Sequence, residues 1–353
     1  EGSDRYGVLS NFAYDHQTQE KIYASIQNKL MESNDNGDNW SVIYESPVYS
    51  QIINLRTLNN EELVFQEHFG TSLMNNIAVL NLQDYSIKRI QMPSEYGSAE
   101  IDAFDFVSDD SDVVFLSLGI GWNRGYGMYT TNGGLTWKTV YNAEDESFVD
   151  KIKITSLAIS DINPQKLVIT RASGTKPNNY EGGGVWISED AGDTWNEHLE
   201  NILLGKVAIN PLDDKDILVG SASRANVPTQ VQAVYRTKDN GGTWNAIDVE
   251  WVQAGTLNYI TGINFNPHTQ GNIVVLGDKE IVSTTDDGLT WTNTTYTGVG
   301  DVGGYFFAKR VSFDPFVQGK LLITNSYYPL QSDDGGITTS RFWNSLYGVT
   351  GDV

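Results

Sequence analysis

Short apolar or alternating runs of four to six residues, each closed by turn residues, recur along the whole chain. Gly184-Val-Trp-Ile-Ser188, Lys21-Ile-Tyr-Ala-Ser25 and Val113-Val-Phe-Leu-Ser-Leu118 are examples. Runs this short, with period-two alternation and Gly, Asn, Asp or Pro between them, predict β-strands joined by tight turns. One turn dominates. Ser188-Glu-Asp-Ala-Gly-Asp-Thr-Trp195 has the form Ser/Thr-x-Asp/Asn-x-Gly-x-x-Trp, and the form returns at Ser33–Trp40, Thr130–Trp137, Thr237–Trp244 and Thr284–Trp291. A worn copy at Ser332–Thr339 has Thr in place of the Trp. The residues that define the turn are Asp35, Asn132, Asp190, Asp239, Asp286 and Asp334, with Trp40, Trp137, Trp195, Trp244 and Trp291. Asp and Asn can accept hydrogen bonds from the backbone just ahead of them, Gly supplies a positive φ, and the Trp lies across the strands as an apolar wedge.

The spacing of this unit predicts the architecture. From Trp137 onward the tryptophans of the unit stand 58, 49 and 47 residues apart, while Trp40 and Trp137 are 97 apart. The double interval implies one repeat without the signature, and Asn76–Ile90 reads as its two strands around Gln83-Asp84-Tyr85. A period of about 40 to 50 residues with four short strands per repeat is that of a β-propeller blade. The expectation is an all-β chain forming one domain over residues 1–353, a seven-bladed propeller of four-stranded antiparallel blades. The blades are placed at about 6–47, 51–93, 99–142, 152–200, 203–249, 257–296 and 305–347. A second marker falls in the same register: Asn163-Pro164, Asn210-Pro211, Asn266-Pro267 and Asp314-Pro315 each follow an alternating strand. The chain begins with an innermost strand and ends after an outermost one, so closure is expected from packing between blades, helped by Glu1 to Tyr6.

The repeated turn resembles the Asp box, or BNR repeat, of sialidases, sortilin-type receptor propellers and family-74 glycoside hydrolases. The resemblance implies the propeller fold, and by itself it implies no single activity, because families that share the turn do unrelated things.

Composition narrows the partners. A net charge of −22 argues against nucleic acid and anionic membrane. With no cysteine there is neither disulfide nor thiol chemistry. No apolar run is long enough to span a bilayer. No signal peptide precedes Glu1, so an exported protein would be read here in its mature form or as a fragment. The four histidines, His16, His68, His198 and His268, share no metal-ligand spacing, and neither a metal nor a cofactor is expected.

In such a blade the first-to-second and third-to-fourth turns share one face, so the Asp-box units and Asn-Pro turns lie together. The opposite face collects the longer, irregular loops, where binding usually occurs. Its candidates are Trp122, Arg124 and Tyr126 in one loop, Arg171, Asn179 and Tyr180 in the next, and Arg224 in a third. Blade two adds His68, the connections between blades add Trp251, Tyr259 and Tyr305, and blade seven adds Tyr327 and Tyr328. Aromatic planes ringed by Asn, Asp and Arg suit sugar rings, which stack on their C–H faces and hydrogen-bond through hydroxyls. The same aromatics would also serve to fill blade seams.

Resemblance to particular enzymes sharpens the chemistry. A sialidase would need an Arg-Ile/Leu-Pro start in the first blade, and only Arg5 stands there. Tyr235-Arg-Thr-Lys-Asp-Asn-Gly-Gly-Thr-Trp244, then Trp251, Ile263-Asn-Phe-Asn-Pro267 and Gly300-Asp-Val-Gly-Gly-Tyr305 are similar to family-74 xyloglucan hydrolases. That resemblance implies a general-acid role for Asp301. An inverting mechanism needs a second carboxylate as base. The stretch matching the family's base is Tyr23-Ala-Ser-Ile-Gln27-Asn28-Lys29, which has none. The reading is therefore an extracellular or cell-surface module that binds a polysaccharide or other glycan without cleaving it. A family-74-like hydrolase using Asp301, with Glu67, Glu181 or Asp102 as partner, and a protein-binding scaffold like the sortilin domains are the alternatives.

Overall fold

A computed structural model describes residues 9–46, 50–59, 61–69, 76–93, 100–119, 125–142, 152–173, 183–222, 233–251, 260–277, 280–295, 308, 310–324 and 329–342. Their strands form seven four-stranded antiparallel sheets, each built from consecutive strands in simple order. The innermost strands are Leu9–Tyr14, Ser50–Thr57, Glu100–Val107, Ile152–Ile159, Leu204–Asn210, Ile260–Phe265 and Arg310–Phe313. They surround a central channel. The outermost strands are short, as at Asn196–His198, Asn245–Ala246 and Ser340–Arg341, and mostly solvated.

The hydrophobic pattern explains this layering. Middle strands have a neighbouring blade on each face, so Ile273–Gly277, Glu280–Thr284 and Leu321–Thr324 are buried at every position. Seven apolar clusters result, one in each seam between adjacent blades. Each fully buried Leu, Ile, Val or Phe in them contributes roughly 1.5–3 kcal/mol.

Among the described residues the ring closes through such a seam, with no exchanged strand. Phe12, Tyr14, Ile22 and Ala24 of blade one pack with Leu322 and Phe342 of blade seven. The Phe12 and Phe342 rings meet edge to face at 5.6 Å, and the Tyr14 N–H donates to Ser312 Oγ at 3.0 Å. Glu1 to Tyr6, expected to help, lie outside the described residues.

The innermost strands share a further feature. Their pairing slips between Leu9 and Asn11, Ile53 and Arg56, Ile154 and Ser156, Leu204 and Lys206, and Ile260 and Gly262, with a matching slip between Ile101 and Ala103. A bulge bends a strand and re-aims its side chains. In six blades a polar residue at or beside the slip lines the channel: Asn11, Asn54, Asp102, Ser156, Lys206 and Thr261.

Candidate functional site

The turn face is built by one repeated bonding scheme. In blade four Ser188 Oγ donates to Asp190 Oδ1 at 2.8 Å and accepts from the Gly192 N–H at 2.8 Å. Asp190 Oδ1 accepts the Thr194 N–H at 2.8 Å, and Oδ2 accepts the Thr194 hydroxyl at 2.6 Å. Those Thr194 bonds, with that from Ser188, hold the Asp190 carboxyl down at about 2. Asp286, bonded to Thr290 and Thr284 in the same way, is also held at about 2. The turn at Ser332 makes the same bonds without its Trp. Trp137 and Trp195 instead reach the preceding blade, donating to the carbonyls of Gln91 at 2.7 Å and Val140 at 2.9 Å.

One more bond ties each of these turns to its own blade. The N–H groups of Asn36, Gly133, Ala191, Asn240, Asp287 and Gly335 donate to the carbonyls of Glu20, Asp112, Gln165, Lys215, Gly271 and Gly319. In blade two the Leu82 N–H does the same to Glu61 at 3.0 Å. Those six residues, one after each Asp or Asn, adopt positive φ, as do the glycines that follow. The Asp-box carboxylates are thus committed to turns.

Of the residues expected on the long-looped face, Trp122, Arg124, Asn179, Tyr180, Arg224, Tyr259, Asp301, Tyr305, Tyr327 and Tyr328 lie outside the described residues, as does Glu181. Arg171 lies on the strand Leu167–Ser173, not in the loop beyond it, and is 1% exposed. Its guanidinium stacks 3.6 Å above Trp186, donates to Tyr141 Oη at 3.1 Å and meets Glu197 Oε1 at 3.2 Å. Tyr126 is buried in the seam between blades two and three. Trp251 is half-buried against the cluster of blades five and six, and His68 is half-buried on Glu62–Phe69.

Glu67, one of the candidate partner carboxylates, is enclosed. It accepts from Ser46 Oγ at 2.7 Å, Arg89 Nε at 2.9 Å and the Tyr44 hydroxyl. Burial pushes its carboxyl up, but these bonds outweigh burial and hold it below the usual range. Burial and the Glu67 charge push Tyr44 up to about 12. Asp102 lines the channel.

Blade one ends on this face in a tight turn at Gln27 and Asn28, between Ile22–Ile26 and Lys29–Ser33. Gln27 has φ 51°, and Asn28 Nδ2 donates to the Ser46 carbonyl at 3.1 Å and to Glu45 Oε1 at 3.4 Å. Glu45 therefore sets a carboxylate beside the hairpin. Sequence spacing alone gave no sign of it, because it reaches there from the outermost strand.

The channel is a cavity of about 820 Å³. Arg56 pairs with Asp105 at 2.5 Å and donates to the Phe106 carbonyl at 3.0 Å. At the turn-face mouth the His16 and His268 rings meet edge to face at 5.2 Å. Burial, then the neighbouring His16, lowers His268 to about 4, so it is neutral at physiological pH. Among the described residues no three His, Cys, Asp or Glu side chains gather to hold a metal. No helix there is long and apolar enough to cross a membrane.

No protein-family model matches the chain. A xyloglucanase from a Paenibacillus species is 25% identical over 291 residues, covering 69% of this chain and 26% of the relative. The GH74 xyloglucanase of Xanthomonas campestris superposes with a TM-score of 0.65 at 10% identity, over 94% of this chain and 53% of that one. Together these likenesses support a propeller superfamily related to the family-74 and BNR-type enzymes. An ancestral GH74 enzyme shares the fold, with a TM-score of 0.61 at 14% identity over 95% of this chain and 46% of that one. So does YCF48 bound to D1 peptide, with 0.57 at 13% identity over 93% of both chains. Within that superfamily this propeller spans about a quarter of the curated relative it matches.

Proposed function

We infer that this propeller recognises a polysaccharide of the xyloglucan class on its long-looped face, outside the cytoplasm, and does not cleave it. The observation that carries the ligand class is the likeness to the Paenibacillus xyloglucanase over 69% of the chain. Binding without cleavage is supported by the Gln27–Asn28 hairpin, which falls in the stretch that the family resemblance matches to the catalytic base. Side-chain amides do not take up a proton near neutral pH, so neither residue can activate a water. Trp122, Tyr180, Tyr259, Tyr305, Tyr327 and Tyr328 would supply stacking planes, and Arg124, Asn179 and Arg224 the hydrogen bonds. Asp301 would then be a sugar-binding carboxylate.

Glu45 motivates the second reading. A carboxylate beside the hairpin, with Asp301 as acid, would restore a pair for inverting hydrolysis. Incubation with xyloglucan and assay of reducing ends separates the two. The expected result is no release above a heat-inactivated control, together with retarded migration in xyloglucan gels. Release that disappears in both Asp301→Asn and Glu45→Gln would establish the hydrolase. Neither release nor retardation would leave a protein partner as the reading.

A further inference from the structure

The net charge of the chain is −22, and several arginines of the described residues have carboxylates beside them: Arg56 with Asp105, Arg89 with Glu67, Arg171 with Glu197 and Arg236 with Asp216. Arg310 does not. It opens the innermost strand of blade seven, three residues above Phe313 and so about 10 Å from the turn face at the rise of a strand. Its Nη1 donates to the carbonyls of Leu55 at 3.1 Å and Asn54 at 3.4 Å. Both belong to blade two, so the side chain passes blade one to reach them. The carbonyl of Asn54 is presented by a bulge in which that residue takes φ 56°.

Among the described residues Arg310 meets no carboxylate at ion-pair distance, and its Nε and Nη2 have no protein acceptor. That edge belongs to a side chain lining the channel, where the like charge of Arg56 acts on it more strongly than the opposite charge of Asp105. Burial first, and then Arg56, pulls Arg310 down to about 10, which leaves it charged at neutral pH. Asp102, Asp105, Asp109 and Asp161 line the same channel, as does a third cation, Lys206. Asp105 accepts from Arg56 and the Ile159 N–H, Asp161 from the Ser108 N–H and hydroxyl, and Asp109 from Asn59. A half-buried cation with no carboxylate at ion-pair distance gains from one, and a cavity of about 820 Å³ leaves room for it to enter from solvent.

We propose that the central channel is an anion site, in which a small oxyanion, carboxylate or phosphate, binds the Nε–Nη2 edge of Arg310 with Arg56 as the second cation. A guanidinium edge offers two parallel N–H donors, which matches two oxygens of either group. The site lies on the inner strands and not in the long loops. It has a structural consequence. Arg310 already links blade seven to blade two across blade one, at the seam that closes a ring with no exchanged strand among the described residues. An anion held there stabilises the folded ring by linkage.

The test is titration of the intact chain with inorganic phosphate and, separately, with galacturonate, at constant ionic strength set by chloride. Calorimetry and thermal unfolding are read together. Saturable binding of at least one anion is expected, with a rise in Tm. Affinity should fall about tenfold or more in Arg310→Gln, and by less in Arg310→Lys, which keeps the charge and loses the fork. Phosphate alone binding would name a free inorganic anion as the ligand, and galacturonate alone would name a carboxylate. Should Arg310→Gln fail to fold, the wild-type and Arg310→Lys titrations decide. No saturable binding of either anion to the wild type would overturn the proposal. So would binding that both Arg310→Lys and Arg56→Lys leave unchanged.

Discussion

Blades four and two place their third-to-fourth turns at the same position and close them by different chemistry. In blade four Ser188 and Asp190 form a bonded lattice over Ala191 and Gly192, and Trp195 reaches back to Val140. In blade two Asn81 Oδ1 accepts the Gln83 N–H at 2.8 Å, Asp84 accepts from Ser86, and Tyr85 takes φ 59° with no glycine present. The bond common to both is the one that crosses to the first-to-second turn, from Ala191 to Gln165 and from Leu82 to Glu61. The fold therefore requires a closed turn hydrogen-bonded to its neighbour, and the repeated residues are one solution to that requirement. Blade seven separates the parts further. Its turn at Asp334 keeps every bond while Thr339 stands where the Trp would be, so the Trp seals a seam and does not shape the turn.

The largest expected effect comes from breaking the blade-four turn at its glycine. Gly192 has φ +80°, and a Cβ there would stand 2.3 Å from Val140 Cβ. Gly192→Ala combines backbone strain with overpacking and should cost about 3 kcal/mol in urea unfolding. Trp195→Ala should cost about 2 kcal/mol by opening the half-buried seam, and the turn bonds should survive it. Retained amide protection at Gly192 and Thr194 in hydrogen exchange would verify the separation of roles.

A smaller effect depends on pH. The folded Asp190 and Asp286 carboxyls are lowered to about 2, below the ordinary unfolded value near 4. Their contribution is therefore complete above about pH 4 and is lost as pH falls toward 2. Asp190→Asn should reduce the stability difference between pH 7 and pH 3, since an amide, like Asn132 in blade three, does not titrate. An unchanged difference would contradict the assigned bonding. Smallest of all is Ala191→Asn. Ala191 holds φ 54°, a conformation that Asn tolerates better and that Asn36 and Asn240 adopt in the equivalent turns. It should stabilise by about 0.5 kcal/mol.

Much of the architecture could be read from local spacing, because each turn is built by residues within eight positions of one another. The blade with no signature was found through Asn76–Ile90, and it forms the strands Asn76–Asn81 and Ile87–Arg89. What sequence did not reveal depends on contacts between distant residues. Arg171 follows an apolar run and reads as the start of a loop, yet Trp186, Tyr141 and Glu197 from other strands enclose it. Arg310 reads as one charge in a strand, and its isolation appears only when the ring brings blade two alongside. The positive φ of Ala191 was also hidden, since alanine carries no sign of it. The pairing slips of the inner strands have no residue signature either.

Isothermal titration with a xyloglucan oligosaccharide, comparing the wild type with the double variant Tyr327→Ala/Tyr328→Ala, tests the central claim most directly. The account predicts saturable binding to the wild type, with affinity at least about tenfold weaker in the variant, as loss of one or two stacking planes would give. No heat of binding to the wild type, or equal affinity in both proteins, would contradict recognition of the glycan through these aromatics on the long-looped face.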